Sequence, residues 1–243
     1  MSRNFELMQK IDIDRKSRAS RTFEPALQLN DGNNNGYTHR QPAGEKVLRL
    51  VQQIFLHQTQ EPPRVVVFAG IDRGNGCSEI CASVAETLAK DAGRPVCLVE
   101  ANFRSPALSE LFGTTNHHGL TDALLQEGPI HSFAKLVTQD NLWLLSSGTL
   151  AADSPSLLTS ERLRERLDEL RRDFDSVIID APPLVRYSDA IVLGQLSDGL
   201  VLILEADSTR REAVSVAVAN VRSVKVPILA AVLNKRSLPE KYI

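Results

Sequence analysis

One stretch limits what this chain can fold into: residues 64–85, RVVVFAGIDRGNGCSEICASVA. Val65-Val66-Val67-Phe68-Ala69 is a short apolar run rich in β-branched residues, the pattern of a strand buried on both faces. Residues 70–76 carry three glycines with charged side chains between them. Beyond Ser78 the apolar residues Ile80, Cys81, Val84, Ala85 and Leu88 recur at helical spacing. Strand, glycine loop and helix in that order suit a phosphate. The glycines let backbone N–H groups turn inward, and the helix start adds a partial positive charge.

The loop departs from the usual form at its end. A phosphate-binding loop closes on Gly-Lys-Ser/Thr, the lysine reaching the β/γ-phosphates and the hydroxyl meeting magnesium. Here the same place reads Gly76-Cys77-Ser78, so the hydroxyl is kept and the ammonium is not. Alone, the motif reads equally well as a glycine-rich turn between a strand and a helix. The rest of the chain decides.

Downstream, short apolar runs alternate with helical periodicity. Strands are predicted at 96–99, 141–145, 176–180, 199–204 and 228–233. Helices are predicted at 108–112, 120–126, 159–174, 188–196 and 210–221, the third capped by Thr159 or Ser160. Strands apolar on both faces, alternating with helices, predict an α/β fold: a parallel central sheet with helices on both faces. Ligands in such sheets sit at the carboxyl ends of the strands. Gly70 onward, Glu100 with Asn102, and Asp180 all fall there, which favours the phosphate-loop reading.

Before the first strand the chain divides at about residue 43. Residues 1–18 place Phe5, Met8 and Ile11 on one helical face, and 22–42 read as a flexible linker. Residues 45–58 are helical, with Val47, Leu48, Val51, Ile54 and Phe55 apolar, and dock on the 44–243 domain or on another subunit. A net charge of −2 argues against nucleic acid. Three cysteines and no leader-like segment point to a reducing, cytoplasmic compartment, with Cys81 and Cys97 as small buried residues. No apolar run approaches the roughly 20 residues of a membrane span, so membrane contact is expected through a partner.

Several motifs together resemble a known family. Val177-Ile178-Ile179-Asp180-Ala181-Pro182-Pro183 is similar to the second acidic motif of the bacterial tyrosine kinases of capsule and exopolysaccharide synthesis (CpsD/CapB-like). Residues 96–106 resemble their strand followed by Asp-x-Asp-x-Arg-x-Pro. Asp189, Ser197-Asp198-Gly199-Leu200 and Val232-Leu233-Asn234 follow in family order, and the opening Met1-Ser2-Arg3 is similar to that of cytoplasmic members. The resemblance spans nearly all of 44–234. It implies a P-loop NTPase fold of the deviant, MinD/ParA-like group.

The resemblance also implies a site and its losses. Arg73, Gly74, Asn75, Gly76, Cys77, Ser78, Arg104 and Asn234 would hold ATP or ADP; Ser78 and Asp180 would hold Mg2+; Glu100 and Asp180 would be catalytic; Tyr242 is the remaining candidate phosphosite. Lysine is replaced by Cys77, and the paired aspartates by Glu100 and Asn102. Nucleotide binding is therefore expected to be weakened and kinase activity weak or absent. The family's ring-assembly pattern, Glu-x-x-Arg-x-x-Arg, reads Glu45, Leu48, Val51 here, so octameric rings are not expected and self-association stays open. The implied partner is a membrane-embedded polysaccharide chain-length regulator or export protein, placing the chain in the cytoplasm, peripheral to the inner membrane. The rival functions are an active protein-tyrosine autokinase and a ParA/MinD-type positioning ATPase.

Some residues keep two readings. Cys77, at a helix start that can lower a thiol pKa, is a redox switch or merely a small replacement. Arg73 meets a phosphate or solvent. Asn234-Lys235 meets adenine or simply ends a strand. His117-His118 lacks the companions a metal needs. Trp143 is read as core, and Arg162, Arg164, Arg166, Arg171 and Arg172 as a solvated helix face.

Overall fold

The computed structural model describes residues 27–28, 44–56, 62–151 and 153–235. The predicted N-terminal helix with Phe5, Met8 and Ile11, and Tyr242, lie outside the described residues. In chain order the strands are β1 (Leu27–Gln28), β2 (Val65–Gly70), β3 (Val96–Glu100), β4 (Lys135–Leu136), β5 (Leu142–Leu145), β6 (Ser176–Ala181), β7 (Gly199–Glu205) and β8 (Ile228–Asn234). The helices are α1 (Glu45–Val51, continued by a π-helical turn at Gln52–Leu56), α2 (Cys77–Ala92), α3 (Leu108–Leu111), α4 (Leu120–Leu125), α5 (Glu161–Asp173), α6 (Asp189–Gln195) and α7 (Arg211–Ser223).

The strands form one sheet in the order β1-β8-β7-β2-β6-β3-β5-β4. Among the described residues only β4 runs antiparallel, on β5, and every other pair is parallel. Alternation along each strand explains why the runs are apolar throughout. Val65, Val67 and Ala69 of β2 enter one core layer with α4, α5, α6 and α7, while Val66 and Phe68 enter the other with α1 and α2. Strand β6 does the same: Val177 and Ile179 face the α5 side, and Ile178 faces α2. Asp180 shares the parity of Ile178, so the carboxylate belongs to the face that α2 covers. Glu100 pairs in register with Asp180 and shares the parity of Val96 and Leu98 on that face.

The structure corrects several expectations. Leu27–Gln28, within the predicted linker, pair with Val232 and Leu233 at the sheet edge. Helix α1 buries Val47, Leu50 and Val51 on its own domain, with Leu50 rather than Leu48 facing inward. Ser160, not Thr159, caps α5 by accepting from the Leu163 N–H. The arginines of α5 are not one solvated face. Arg166 is 1% exposed and donates to the carbonyls of Ala123, Gln126 and Gly128 and to Glu169. It thereby supplies donors to the Ala123 carbonyl in the last turn of α4 and to the Gln126 and Gly128 carbonyls just past its end. Arg171 grips Asp198 through both carboxylate oxygens, and Asp198 also accepts from the Arg64 and Val65 N–H groups at the start of β2.

Candidate functional site

The loop leaving β2 is bent by its own sequence and clamped from β8. The Asp72 N–H donates to Asn75 Oδ1 at 3.0 Å, and Asn75 is buried. Gly74 (φ 79°) and Gly76 (φ 78°) are left-handed, the conformation glycine adopts without a Cβ penalty. A Cβ on Gly76 would sit 2.5 Å from Asn234 Nδ2. That same Asn234 amide donates to the Asn75 carbonyl at 2.8 Å, and Lys235 Nζ to the Gly74 carbonyl at 2.5 Å. Asn234 and Lys235, the pair read as either an adenine contact or a strand end, thus hold the backbone of the loop. Asn234 Oδ1 and Asn102 Oδ1 are buried without a hydrogen-bond partner.

Helix α2 begins immediately after Gly76, so Cys77, Ser78 and Cys81 occupy its first turns beside the end of β6. Ser78 Oγ donates to Asp180 Oδ2 at 2.5 Å, and Cys81 Sγ lies 3.8 Å from Asp180 Oδ1. Asp180 is fully buried. Burial pushes it up to about 7; hydrogen bonds from Ser78 and Cys77 pull it back in part, and the Glu100 carboxylate adds to the rise. For Cys77 a hydrogen bond with Cys81 acts to lower the thiol, yet burial and the charge of Asp180 prevail and raise it to about 11. Burial and the Asp180 carboxylate thus push the Cys77 thiol up, against the lowering that a helix start can give. Burial likewise pushes Cys81 well up.

Glu100 stands at the carboxyl end of β3, as expected, but makes contacts the sequence did not suggest. Its Oε1 accepts from the N–H groups of Ala107 (2.5 Å) and Leu108 (2.6 Å), and its Oε2 from Ser147 N–H (3.1 Å). The carboxylate is fully buried and is used to start α3 and to pin the loop after β5. These bonds engage both of its oxygens, while its charge still reaches Asp180. The cause is the strand register: Glu100 ends β3 directly before the 101–107 turn, whose N–H groups need an acceptor.

On the outer side of the loop, Arg73 Nη2 donates to the Tyr187 hydroxyl at 2.9 Å. Arg104 stacks 3.9 Å above the same ring and reaches Asp189 Oδ2 at 3.2 Å, and Arg186 meets Asp72. Tyr187 and Arg186 escaped the sequence reading. Their position, just after Pro182-Pro183 at the carboxyl end of β6, was the available signal. His117 is turned to Thr149 through its backbone, and His118 to Ser146 likewise.

One hydroxyl and one carboxylate oxygen suit magnesium. Left-handed glycines followed by a helix start suit a phosphate. Ser78, Asp180 and the 74–78 backbone thus fit the magnesium nucleotide that the resemblance implies, less one ammonium.

No protein-family model matches the chain. It is 29% identical over 185 residues to Tyrosine-protein kinase YwqD of Bacillus subtilis, a match covering 71% of this chain and 78% of that protein. The crystal structure of the chimerical protein CapA2B2 superposes with a TM-score of 0.80 at 20% identity, over 95% of this chain and 100% of the other. The septum site-determining protein MinD of Pyrococcus horikoshii, solved with Mg-ADP, gives a TM-score of 0.61 at 17% identity over 73% of this chain and 72% of its own. The fold is that of the MinD/ParA-like P-loop ATPases.

Proposed function

We propose that this chain, a relative of the bacterial tyrosine-protein kinases of capsule and exopolysaccharide synthesis, regulates that synthesis or export through a kinase fold whose phosphoryl-transfer site is impaired. The observation that carries this is Cys77: where the resembling loop has an ammonium, a neutral thiol faces Cys81 and Asp180. Phosphoryl transfer depends on neutralising and positioning charge, and loss of one charged donor costs on the order of 3 kcal/mol in the transition state. Asn102 has no carboxylate, and Glu100 is committed to backbone N–H groups.

Bound nucleotide would be held by Gly74 to Ser78, with Arg73, Arg104 and Asn234 around it and magnesium between Ser78 and Asp180. Bound ATP would supply its γ-phosphoryl as the transferable group. Losing one charge-assisted contact of about 1.5–3 kcal/mol weakens ATP or ADP by about one to two decades. The proposed partner is a membrane-embedded chain-length regulator or export protein, which would bring the chain to the cytoplasmic face of the membrane. Among the described residues no helix is long and apolar enough to cross one. Val51 is spent on its own domain, which supports the absence of a ring contact at that position. Incubation of the purified protein with radiolabelled magnesium-ATP tests the reading: no label on the chain, including Tyr242, is expected, and rapid labelling would refute it.

A second reading, an active autokinase, is favoured by one observation: Lys235 brings an ammonium from β8 onto the loop at Gly74. The same labelling, lost in Lys235→Ala, would establish it.

A further inference from the structure

We propose that Cys77, Cys81 and Asp180 form a binding site for a thiophilic divalent metal ion, with zinc as the best chemical fit. The two cysteines are four apart on α2 and so lie one above the other on a single face. That face covers the end of β6, where parity delivers Asp180 to the same side of the sheet. One ligand atom from each of the three lies within 4.8 Å of the other two, and Cys81 Sγ is 3.8 Å from Asp180 Oδ1. Zinc–sulfur bonds of about 2.3 Å in a tetrahedron place ligands about 3.8 Å apart, so small side-chain rotations close the set. Three protein ligands leave a fourth position, and Ser78 Oγ stands beside it on Asp180 Oδ2.

The donor chemistry selects the ion. The thiols and carboxyl, protonated without metal, would release their protons as the ion binds, and two thiolates with a carboxylate favour zinc over magnesium, which takes oxygen ligands. Cys97 does not complete a third thiolate, because its parity on β3 turns it into the opposite core layer. Cys81 and Asp180 are fully buried, whereas Cys77 is partly exposed and gives the ion a way in. A bound ion would staple the start of α2 to the end of β6. With two thiolates and a carboxylate around it, the site stays net negative, so the ion does not stand in for the missing lysine. The ion would share Asp180, and the neighbouring Ser78, with the magnesium of the nucleotide reading; its binding needs neither ATP nor turnover, so the two are measured separately.

The test uses the full chain, stripped of metal by a chelator and kept reduced by a phosphine. Zinc is titrated against a chromophoric competitor, cobalt spectra are recorded, and thermal unfolding is followed with and without zinc. One zinc per chain is expected, with a thiolate-to-cobalt charge-transfer band and a zinc-dependent rise in Tm. Cys77→Ala, at the partly exposed position, should lower zinc affinity at least about 100-fold, since outer-shell changes alone cost about 10–100-fold, and should abolish both the band and the Tm rise. Cys81→Val should do the same and controls for damage at the loop. Absence of a charge-transfer band in the wild type, or zinc binding undiminished in both variants, overturns the site.

Discussion

Ser78 Oγ donates a 2.5 Å hydrogen bond to Asp180 Oδ2, joining two residues 102 positions apart in the chain. The contact fastens the first turn of the helix after the glycine loop to the end of a central strand. The other groups acting on Asp180 are two thiols and a second carboxylate, Glu100. A carboxylate buried among neutral and negative groups keeps its proton to higher pH than an exposed one, and this gives the stability of the domain a pH dependence.

In metal-free, nucleotide-free protein Asp180 should make stability fall as pH rises. Its folded-state value, about 7, lies above the ordinary 3.8. Between these two values the folded state binds a proton that the unfolded state has released, so stability declines across the window and levels above it. Asp180→Asn removes that slope. Urea unfolding should find the variant equal to wild type near pH 4 and more stable at pH 8, by at most about 4 kcal/mol given 1.36 kcal/mol per unit. Parallel curves for the two proteins from pH 4 to 8 would contradict this.

Arg166→Met should destabilise the domain by about 3–5 kcal/mol, the scale for breaking a buried charged network. It leaves the carbonyls of Ala123, Gln126 and Gly128 without their donor. Arg162→Ala, whose partner Glu127 is 92% exposed, should cost at most about 1 kcal/mol. Chemical denaturation of both separates them; equal losses would refute the assignment.

Glu100→Gln should act on structure and not on metal. Replacing one carboxylate oxygen by an amide sets donor against donor at Ala107 and Leu108 or at Ser147. A loss of about 1–3 kcal/mol is expected, with faster hydrogen exchange confined to those amides. Unchanged exchange together with altered magnesium binding would return Glu100 to the metal site.

The sheet was legible because buried parallel strands have to be apolar on both faces; the runs beginning at Val65, Val96, Val177 and Gly199 say so locally. Two-residue strands such as Leu27–Gln28 and Lys135–Leu136 leave no such trace, since their pairing is decided by neighbours far away in sequence. Arg166 misled for a related reason. Its spacing among acids matches a solvated face, and the carbonyls it serves, at and just past the end of Leu120–Leu125, lie 38–43 positions upstream. The glycine loop and Ser78 could be read directly. That Cys77 and Cys81 share a face was also readable, but Asp180 joins them only through strand parity across the sheet. Glu100 was placed correctly at a strand end, but its bonds to backbone N–H groups were not readable, because those groups belong to a turn no motif describes.

The central claim is that a thiol at residue 77 leaves the phosphate loop without the charge it needs. Calorimetry with magnesium-ATP on the wild type and on Cys77→Lys tests it most directly. The wild type should bind weakly or undetectably, and the variant, whose loop backbone and helix start are otherwise kept, should bind about 10–100-fold more tightly. Tight binding by the unmodified chain, with no gain in Cys77→Lys, would contradict the account.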